Sequence, residues 1–449
     1  NCDSVCTLRD AIATVASGGV VDFAPQLLPA TITLTQHEIA IPASKTVVIK
    51  SPGAGILAVS AASTMRLFSL AHDAHATLIG MTLRDGAVIA ADGSGGASLS
   101  ENGKPGEIAR GGCFLVNQAQ LTLQQATVRH CLAKGGNGGK GASGVPKMGT
   151  GGGPGGNGGQ GGTAEGGAIY AFGGLVILDA TSIVDTHAIG GKGGGGGAGY
   201  LVNTSGTGGN GGGAQGGASL LGTDPVQSFC RLLARNATIA QADATGGGGG
   251  NGGNGDASLG KGGDGGDGGA AVGGAIQIFQ QPGTDPSLRL EFSTLGEADV
   301  MPGLAGVGGS GHANGADGAA GAAGASAISG QVNAYVAQLY GSAVFGSSAV
   351  PRCALGVVEI TPSLADDMSC NTTLQAPWPS TFAPLATDAE LPTYRPVFGS
   401  PVIDAASSCD GSDFFPVKED AHETPRPQGG VCDVGAIEAD YIFVDGFGG

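Results

Sequence analysis

Residues 164–184 read AEGGAIYAFGGLVILDATSIV. A Gly-Gly step leads into two short runs of branched and aromatic residues, and a second Gly-Gly separates them. The same return motif recurs as ARGGC at 109–113, AQGGA at 214–218 and AVGGA at 271–275, with a degraded AISGQ at 327–331. The intervals are 55, 50, 57 and 56 residues. Each copy opens strand-like runs such as CFLVN, QLTLQQATV, AIQIF and LRLEFSTL, then leaves through glycine and comes back. Short strands at a fixed interval with glycine corners indicate a solenoid. A parallel β-helix fits best, because the hairpin turns that a β-sandwich needs are scarce. VVDFAP, TITLT, TVVIKSP and RLFSLAHDAHATLIGMTL before the repeats, and QVNAYVAQLYGSAVF after them, fit the same coil.

The composition agrees. Of 449 residues, 90 are Gly; 13% are charged, 5% aromatic and 41% hydrophobic, which suits narrow cores of small and branched side chains. The formal net charge of −17 and the lack of a basic cluster argue against nucleic acid. No stretch reaches the ~18 apolar residues of a membrane helix. Asn1 is read as the start of a processed mature chain. CTLRDAIATVASGG (6–19) reads as an amphipathic helix with Leu8, Ile12 and Val15 on one face, ended by Gly18-Gly19. Laid over the first coil, it caps an open sheet end that otherwise aggregates. The expected organisation is a cap over 1–19, a β-helix over 20–370 and an acidic, disulfide-tied cap or tail over 371–449.

Nine cysteines form four local candidate pairs: Cys2 with Cys6, Cys113 with Cys131, Cys353 with Cys370, and Cys409 with Cys432. Cys230 lies in an apolar run and reads as buried and free. Local pairing without metal spacing points to an oxidising, extracytoplasmic compartment, at the cell surface or outside it.

Cys6-Thr7-Leu8-Arg9-Asp10-Ala11-Ile12 resembles the CSLREA motif that opens a class of bacterial exported and surface proteins. Gly399-Ser400-Pro401-Val402-Ile403-Asp404, Pro425-Arg426-Pro427 and Cys432-Asp433-Val434-Gly435-Ala436-Ile437-Glu438 resemble their C-terminal, choice-of-anchor-like region. Phe443-Val444-Asp445-Gly446-Phe447 is similar to a tail on some exported proteins of this type. The resemblance implies a right-handed parallel β-helix and an exported location, and little about activity. The long glycine insertions depart from it.

Those insertions lie near 134–163, 190–213, 246–269 and 303–326. Three have an out–tip–back form: GGGGGNGGNG, DASLG, KGGDGGDGG in the third, with tips VPKM and YLVNTS in the first two. A beat of three suits polyproline II (PPII) helices, in which one residue in three faces the same way. Where two such helices touch, only Gly leaves room. The expectation is a stacked sheaf of polyglycine helices with Asn, Asp, Lys and Ser in the outward third. A flexible linker is the bland alternative. The Gly-Lys steps at 139–140, 191–192 and 260–261 lack the following Ser or Thr of a phosphate loop. Asp264 and Asp267 hint at calcium turns but lack the apolar position. A collagen helix needs regular proline. The apolar tip residues Val145, Pro146 and Met148, Tyr200, Leu201 and Val202, and Leu259 either meet at an extremity as a contact surface or fold back on the neighbouring insertion.

β-Helices often cleave polysaccharides, so catalytic groups matter. Asp179, Asp185 and His187, His130, and the run His72-Asp73-Ala74-His75 are candidates, each also readable as an outward or corner residue. The repeats present no visible column of Asp, Lys or Arg, Asp366-Asp367 lies beyond them, and Arg231 and Arg235 read as structural. Asp404, Asp410, Asp413, Glu419, Asp420, Glu423, Asp433 and Glu438 supply enough oxygens for Ca²⁺, but the favoured expectation is no cofactor. These readings favour a non-enzymatic surface protein that adheres to a cell-surface or glycan partner or self-associates into a fibre. A polysaccharide lyase or hydrolase is the alternative, and ice binding by a flat glycine face a third.

Overall fold

In a computed structural model, the residues described are 6–144, 152–223, 230–279, 287–330, 336–347, 349–387, 390–412 and 416–439. Parallel sheets dominate them. The largest have nine, eleven and eight strands, and a fourth has four strands of two residues each. One coil visits all four in turn: Ala164–Glu165, Ile169–Phe172, Leu175–Asp179 and Ser182–Ile189. Glycine-rich chain then leads to the next short strand, Ala214–Gln215. The chain is an all-β parallel solenoid.

Inward residues stack in columns. Val47, Ala76, Leu121, Val176, Leu232, Leu288, Ala337 and Val357 face one another along the nine-stranded sheet, all buried. Ile49, Leu78, Leu123, Leu178, Ala234, Leu290 and Leu339 form the next column. One apolar core runs from Leu8 to Cys370. Each fully buried Leu, Ile or Val contributes about 1.5–3 kcal/mol relative to exposure. The helix α1 (Leu8–Thr14) closes the N-terminal end with Leu8 and Ile12 buried and Val15 packed beside them. Thr7 and Asp10 form its capping box, and helical geometry ends at Val15, before Gly18.

The return motif has a steric cause. The first glycine sits at positive φ, +58° to +68° at Gly111, Gly166, Gly216 and Gly273. At the second glycine there is no room: a Cβ on Gly167 would lie 1.9 Å from the Gly217 carbonyl oxygen. The fifth copy is displaced from its expected place. Ile276 pairs with Ile328, so the counterpart of AVGGA is AGASA at 323–327 rather than AISGQ at 327–331. Its Ala325 and Ser326 replace the two glycines where the next coil presents Pro351 and Arg352 instead of another Gly-Gly turn.

Cys113–Cys131, Cys353–Cys370 and Cys409–Cys432 are disulfides, and Cys230 is free and buried, its thiol pushed up to about 11 by that burial. Cys6 is disulfide-bonded; Cys2 lies outside the described residues. No described helix is long and apolar enough to cross a membrane.

The segment after 375, read as a terminal cap, makes its described contacts along the flank of successive coils. Thr127 donates to the Glu390 carbonyl, Ser182 to that of Pro392 (2.7 Å) and Asn236 to that of Glu419 (2.8 Å). Tyr394 donates to Glu297 (2.9 Å). Trp378 meets Phe345 and Tyr394 edge-on, with ring centroids 4.6 and 4.4 Å apart. Arg426, buried with Glu438 at 2.8 Å, lies 4.9 Å over the Phe292 ring.

Candidate functional site: the glycine-rich insertions and an Asp–His row

Five excursions leave the coil at one corner. The sequence singled out four; the fifth, 90–108, precedes them and packs on them. It reads AADGSGGASLSENGKPGEI, and its signal was a short three-residue beat at Gly93 and Gly96, then Gly103 and Gly106. Among the described residues, each excursion has an outgoing and a returning leg without helix, and strand only at their bases. The legs are ordered by their own backbone.

Of every three residues, one hydrogen-bonds between the outgoing and returning layers. Starting from the Glu107 carbonyl, the donors are Gly136, Gly162, Gly191, Gly212, Gly247, Gly269, Gly303 and Gly321, each bonding to the residue before it, at 2.7–3.0 Å. A second tier from Lys104 runs through Gly139, Gly159, Gly194, Gly209, Gly250, Gly266, Gly306 and Gly318. A third from Glu101 runs through Ala142, Gly156, Gly197, Gly206, Gly253, Gly263, Gly309 and Gly315. A Cβ on Gly194 would lie 2.0 Å from the Gly139 carbonyl oxygen, which explains why glycine fills these crossings.

A second residue in three bonds sideways to the next excursion in the same layer. Gly138, Gly193 and Gly249 donate to Lys192, Gly248 and Leu304; Gly158, Gly208 and Gly265 donate to Thr207, Asp264 and Ala316. The third residue faces out. A Cβ on Gly195 would find nothing nearer than 3.6 Å.

The outward Asn and Asp do more than meet solvent. Asn137, Asn157, Asn210, Asn251, Asp264 and Asp267 accept the backbone N–H of Lys192, Thr207, Asp267, Val307, Ala316 and Ala319, at 2.7–3.0 Å. That N–H is the one the backbone lattice leaves over, so these side chains complete it. The two aspartates read as hints of a calcium turn are used this way.

The tips divide. The Tyr200 ring covers Gly152 of the neighbouring excursion, and the Tyr200 N–H donates to the Gly153 carbonyl (3.1 Å). Leu201, Val202 and Leu259 are 44%, 70% and 56% exposed, and the Leu201 carbonyl abuts Gly260. Fold-back and exposure therefore coexist. Val145, Pro146 and Met148 lie outside the described residues.

At the base of the outgoing layer the solenoid does form columns of polar groups, contrary to the reading of the repeats. Asp85, His130, Asp185, Gln241 and Glu297 occupy one left-handed position on successive coils, with φ of 52° to 58°. Beside them run Leu132, His187, Asp243 and Asp299. His130 lies 3.2 Å from Asp85 and 3.4 Å from Asp185; His187 lies 2.9 Å from Asp185 and 3.3 Å from Asp243. The Asp243 hydrogen bond, helped by Asp185, raises the His187 pKa above its ordinary value against the cost of burial. Sequence spacing hid this row because its members are about one coil apart. A leftover positive-φ position on each coil was the missing signal.

The other candidates have structural partners. Arg235 pairs with Glu291 (2.8 Å), Arg352 grips Asp366 through two nitrogens (2.7 and 2.9 Å), and Asp367 accepts the Arg352 N–H. Asp179 is held above the usual carboxylate range by burial. His72 pairs with Asp73 at 2.8 Å on the surface. In the C-terminal region Asp420 and Asp433 accept turn N–H groups and Glu438 holds Arg426. Asp413 lies outside the described residues. No group of three or more His, Cys, Asp or Glu among the described residues is placed to hold a metal ion.

No family model matches the chain, and no curated protein matches it. A solved structure, the nine polyproline type II helical bundle springtail antifreeze protein from Granisotoma rainieri, matches at 21% identity over 53% of this chain and 97% of that one. Its TM-score of 0.18 is too low for the match to bear on fold or activity here.

Proposed function

We propose that this chain is an exported structural or adhesive protein of the bacterial surface, the subunit of an extracellular fibre or matrix. In this reading the solenoid is a right-handed β-helix and each glycine-rich leg is a PPII-type helix. The observation that carries the reading is the lattice of backbone hydrogen bonds on a three-residue beat, with glycine at nearly every crossing. Such a lattice holds a thin lateral plate rigid without a side-chain core. It leaves Leu201, Val202 and Leu259 exposed at the tips for contact. The three disulfides suit an oxidising compartment.

Negative-stain microscopy across a concentration series tests the fibre version, which predicts filaments or ordered clusters. Dispersed monomers throughout contradict it. The adhesive version predicts that changing Leu201, Val202 and Leu259 together to Ser abolishes binding to cells or glycans; unchanged binding contradicts it.

The Asp–His row supports a second reading, a carbohydrate-active lyase or hydrolase. His187 held between two carboxylates is a candidate proton carrier. A polysaccharide panel read by reducing ends and unsaturated products tests it. This reading requires activity in the native chain and its loss in Asp185→Asn; an inactive native chain contradicts it.

A further inference from the structure

The two edges of the glycine plate are not alike. At every internal boundary, an excursion donates sideways N–H groups to carbonyls of the next, and the next donates across to inner carbonyls of the one before. The first excursion, 90–108, therefore ends with unused carbonyls at Asp92, Gly95, Asn102 and Pro105 and unused N–H groups at Ala91 and Ser94. The last, 302–325, ends with unused N–H groups at Ala305 and Ala320 and unused inner carbonyls at Gly318 and Gly321. What one edge lacks the other offers.

Apolar exposure follows the same two edges. Ile89, Leu99 and Ile108 are 65%, 49% and 47% exposed at the first; Met301, Leu304 and Val307 are 45%, 79% and 59% exposed at the last. Among the described residues, the legs between them expose no large hydrophobic side chain outside the tips. At Gly308 and Gly311 the last edge turns its N–H groups back onto Asp317 and Asn314, as open edges are often blunted.

We infer that the last edge of the plate binds the first edge of a second copy of this chain, extending the sideways hydrogen bonds of one layer from molecule to molecule. This rests on the fibre reading above and names its contact. Coils extend past the plate at both ends: three strands of the nine-stranded sheet precede the first excursion and two follow the last. They block a coaxial copy, so the second solenoid lies on the opposite side of the plate. A half-turn about an axis parallel to the solenoid and passing through the plate achieves this. It keeps chain direction in each layer and sets the returning leg of the last excursion beside the outgoing leg of the first, so that the Ala320 N–H meets the Gly95 carbonyl, while the crossing groups at Ala91, Ser94, Gly318 and Gly321 then share one layer and stay outside the seam. Five excursions at the strand spacing of about 4.8 Å advance each copy by about 24 Å. Solenoids on one side recur every ~48 Å, enough room for the roughly 38 Å spanned by nine strands.

The test uses the full chain. Ala320→Pro deletes an edge donor, and proline suits the extended leg. It is expected to leave the melting temperature unchanged and to weaken association in sedimentation by about ten-fold or more; Ala320→Ser, which keeps the N–H, is expected to assemble. Mixing Asp92→Cys with Ala316→Cys is expected to give cross-linked heterodimers, and neither variant alone a same-edge dimer. Assembly that ignores Ala320→Pro, or cross-links within like edges, overturns the edge pairing and leaves the fibre reading standing. Monomers at every concentration overturn both.

Discussion

The solenoid and the glycine plate share one chain and one axial spacing but are held together by opposite means. In the solenoid, columns such as Val47 to Val357 exclude water with side chains, and backbone bonding follows the strands. In the plate, side chains are absent from nearly all the crossings between the outer two legs, and main-chain hydrogen bonds run in two directions at once. Burial without side chains is possible because removing Cβ lets backbones approach until N–H and C=O satisfy each other. Glycine's large unfolded-state entropy makes such a plate costly to order on its own. The solenoid offsets that cost by fixing both ends of every excursion one coil apart.

The largest expected effect separates the two regimes at adjacent residues. Gly194→Val collides with the Gly139 carbonyl at a crossing and is expected to melt the plate while the solenoid strands persist; circular dichroism and limited proteolysis read the difference. Gly194→Ala is expected to destabilise by about 1–3 kcal/mol. Its neighbour Gly195→Ala points outward and is expected to be neutral or to stabilise by about 0.4–1 kcal/mol. Equal losses at 194 and 195 would break the distinction between crossing and outward positions.

Leu178→Ala in the solenoid is expected to cost about 2–5 kcal/mol and to lower the cooperative melt of both regions, since the plate has no core of its own. A plate that keeps its protection in that variant would mean that it orders independently. Asn157→Ala removes the acceptor of the Thr207 N–H and is expected to cost about 0.5–1.5 kcal/mol, with faster hydrogen exchange at Thr207.

The smallest effect is electrostatic. The raised His187 pKa contributes stability that is complete below the ordinary histidine value and is lost as pH rises through the raised one. Burial pushes Asp433 up to about 6, and its contribution is likewise lost as pH rises through that value. Thermal melts are therefore expected to be slightly higher near pH 5 than near pH 8. His187→Asn and Asp433→Asn together should flatten that slope, and an unchanged slope would remove both groups from the account.

Most of the solenoid was legible because its columns need Val, Ile, Leu and Ala at a fixed interval, and the Gly-Gly of the return motif marks a turn that only glycine fits where another Gly-Gly turn stacks on it. The three described disulfides followed from local spacing. The first excursion was missed because its glycines are diluted by Lys, Pro and Glu: an edge leg is crowded on one side only. The Asp–His row was missed because residues such as Asp85, His130 and Asp185 are joined by coil stacking rather than by sequence proximity. The fifth return motif was misplaced because Ala325 and Ser326 relax the glycine signature where crowding ends. The plate's outward Asn and Asp were correctly placed, but their bonds to the next leg depend on a register that composition does not contain.

Hydrogen exchange at single-residue resolution tests the central claim, that the glycine is there for packing. Slow exchange is expected at the crossings Gly162, Gly191, Gly212 and Gly247 and at the sideways donors Gly138, Gly193 and Gly249. Fast exchange is expected at the outward Gly195 and Gly248, whose N–H groups no Asn or Asp side chain among the described residues accepts. Uniformly fast exchange along 190–213 and 246–270 would contradict it and return these segments to flexible linkers.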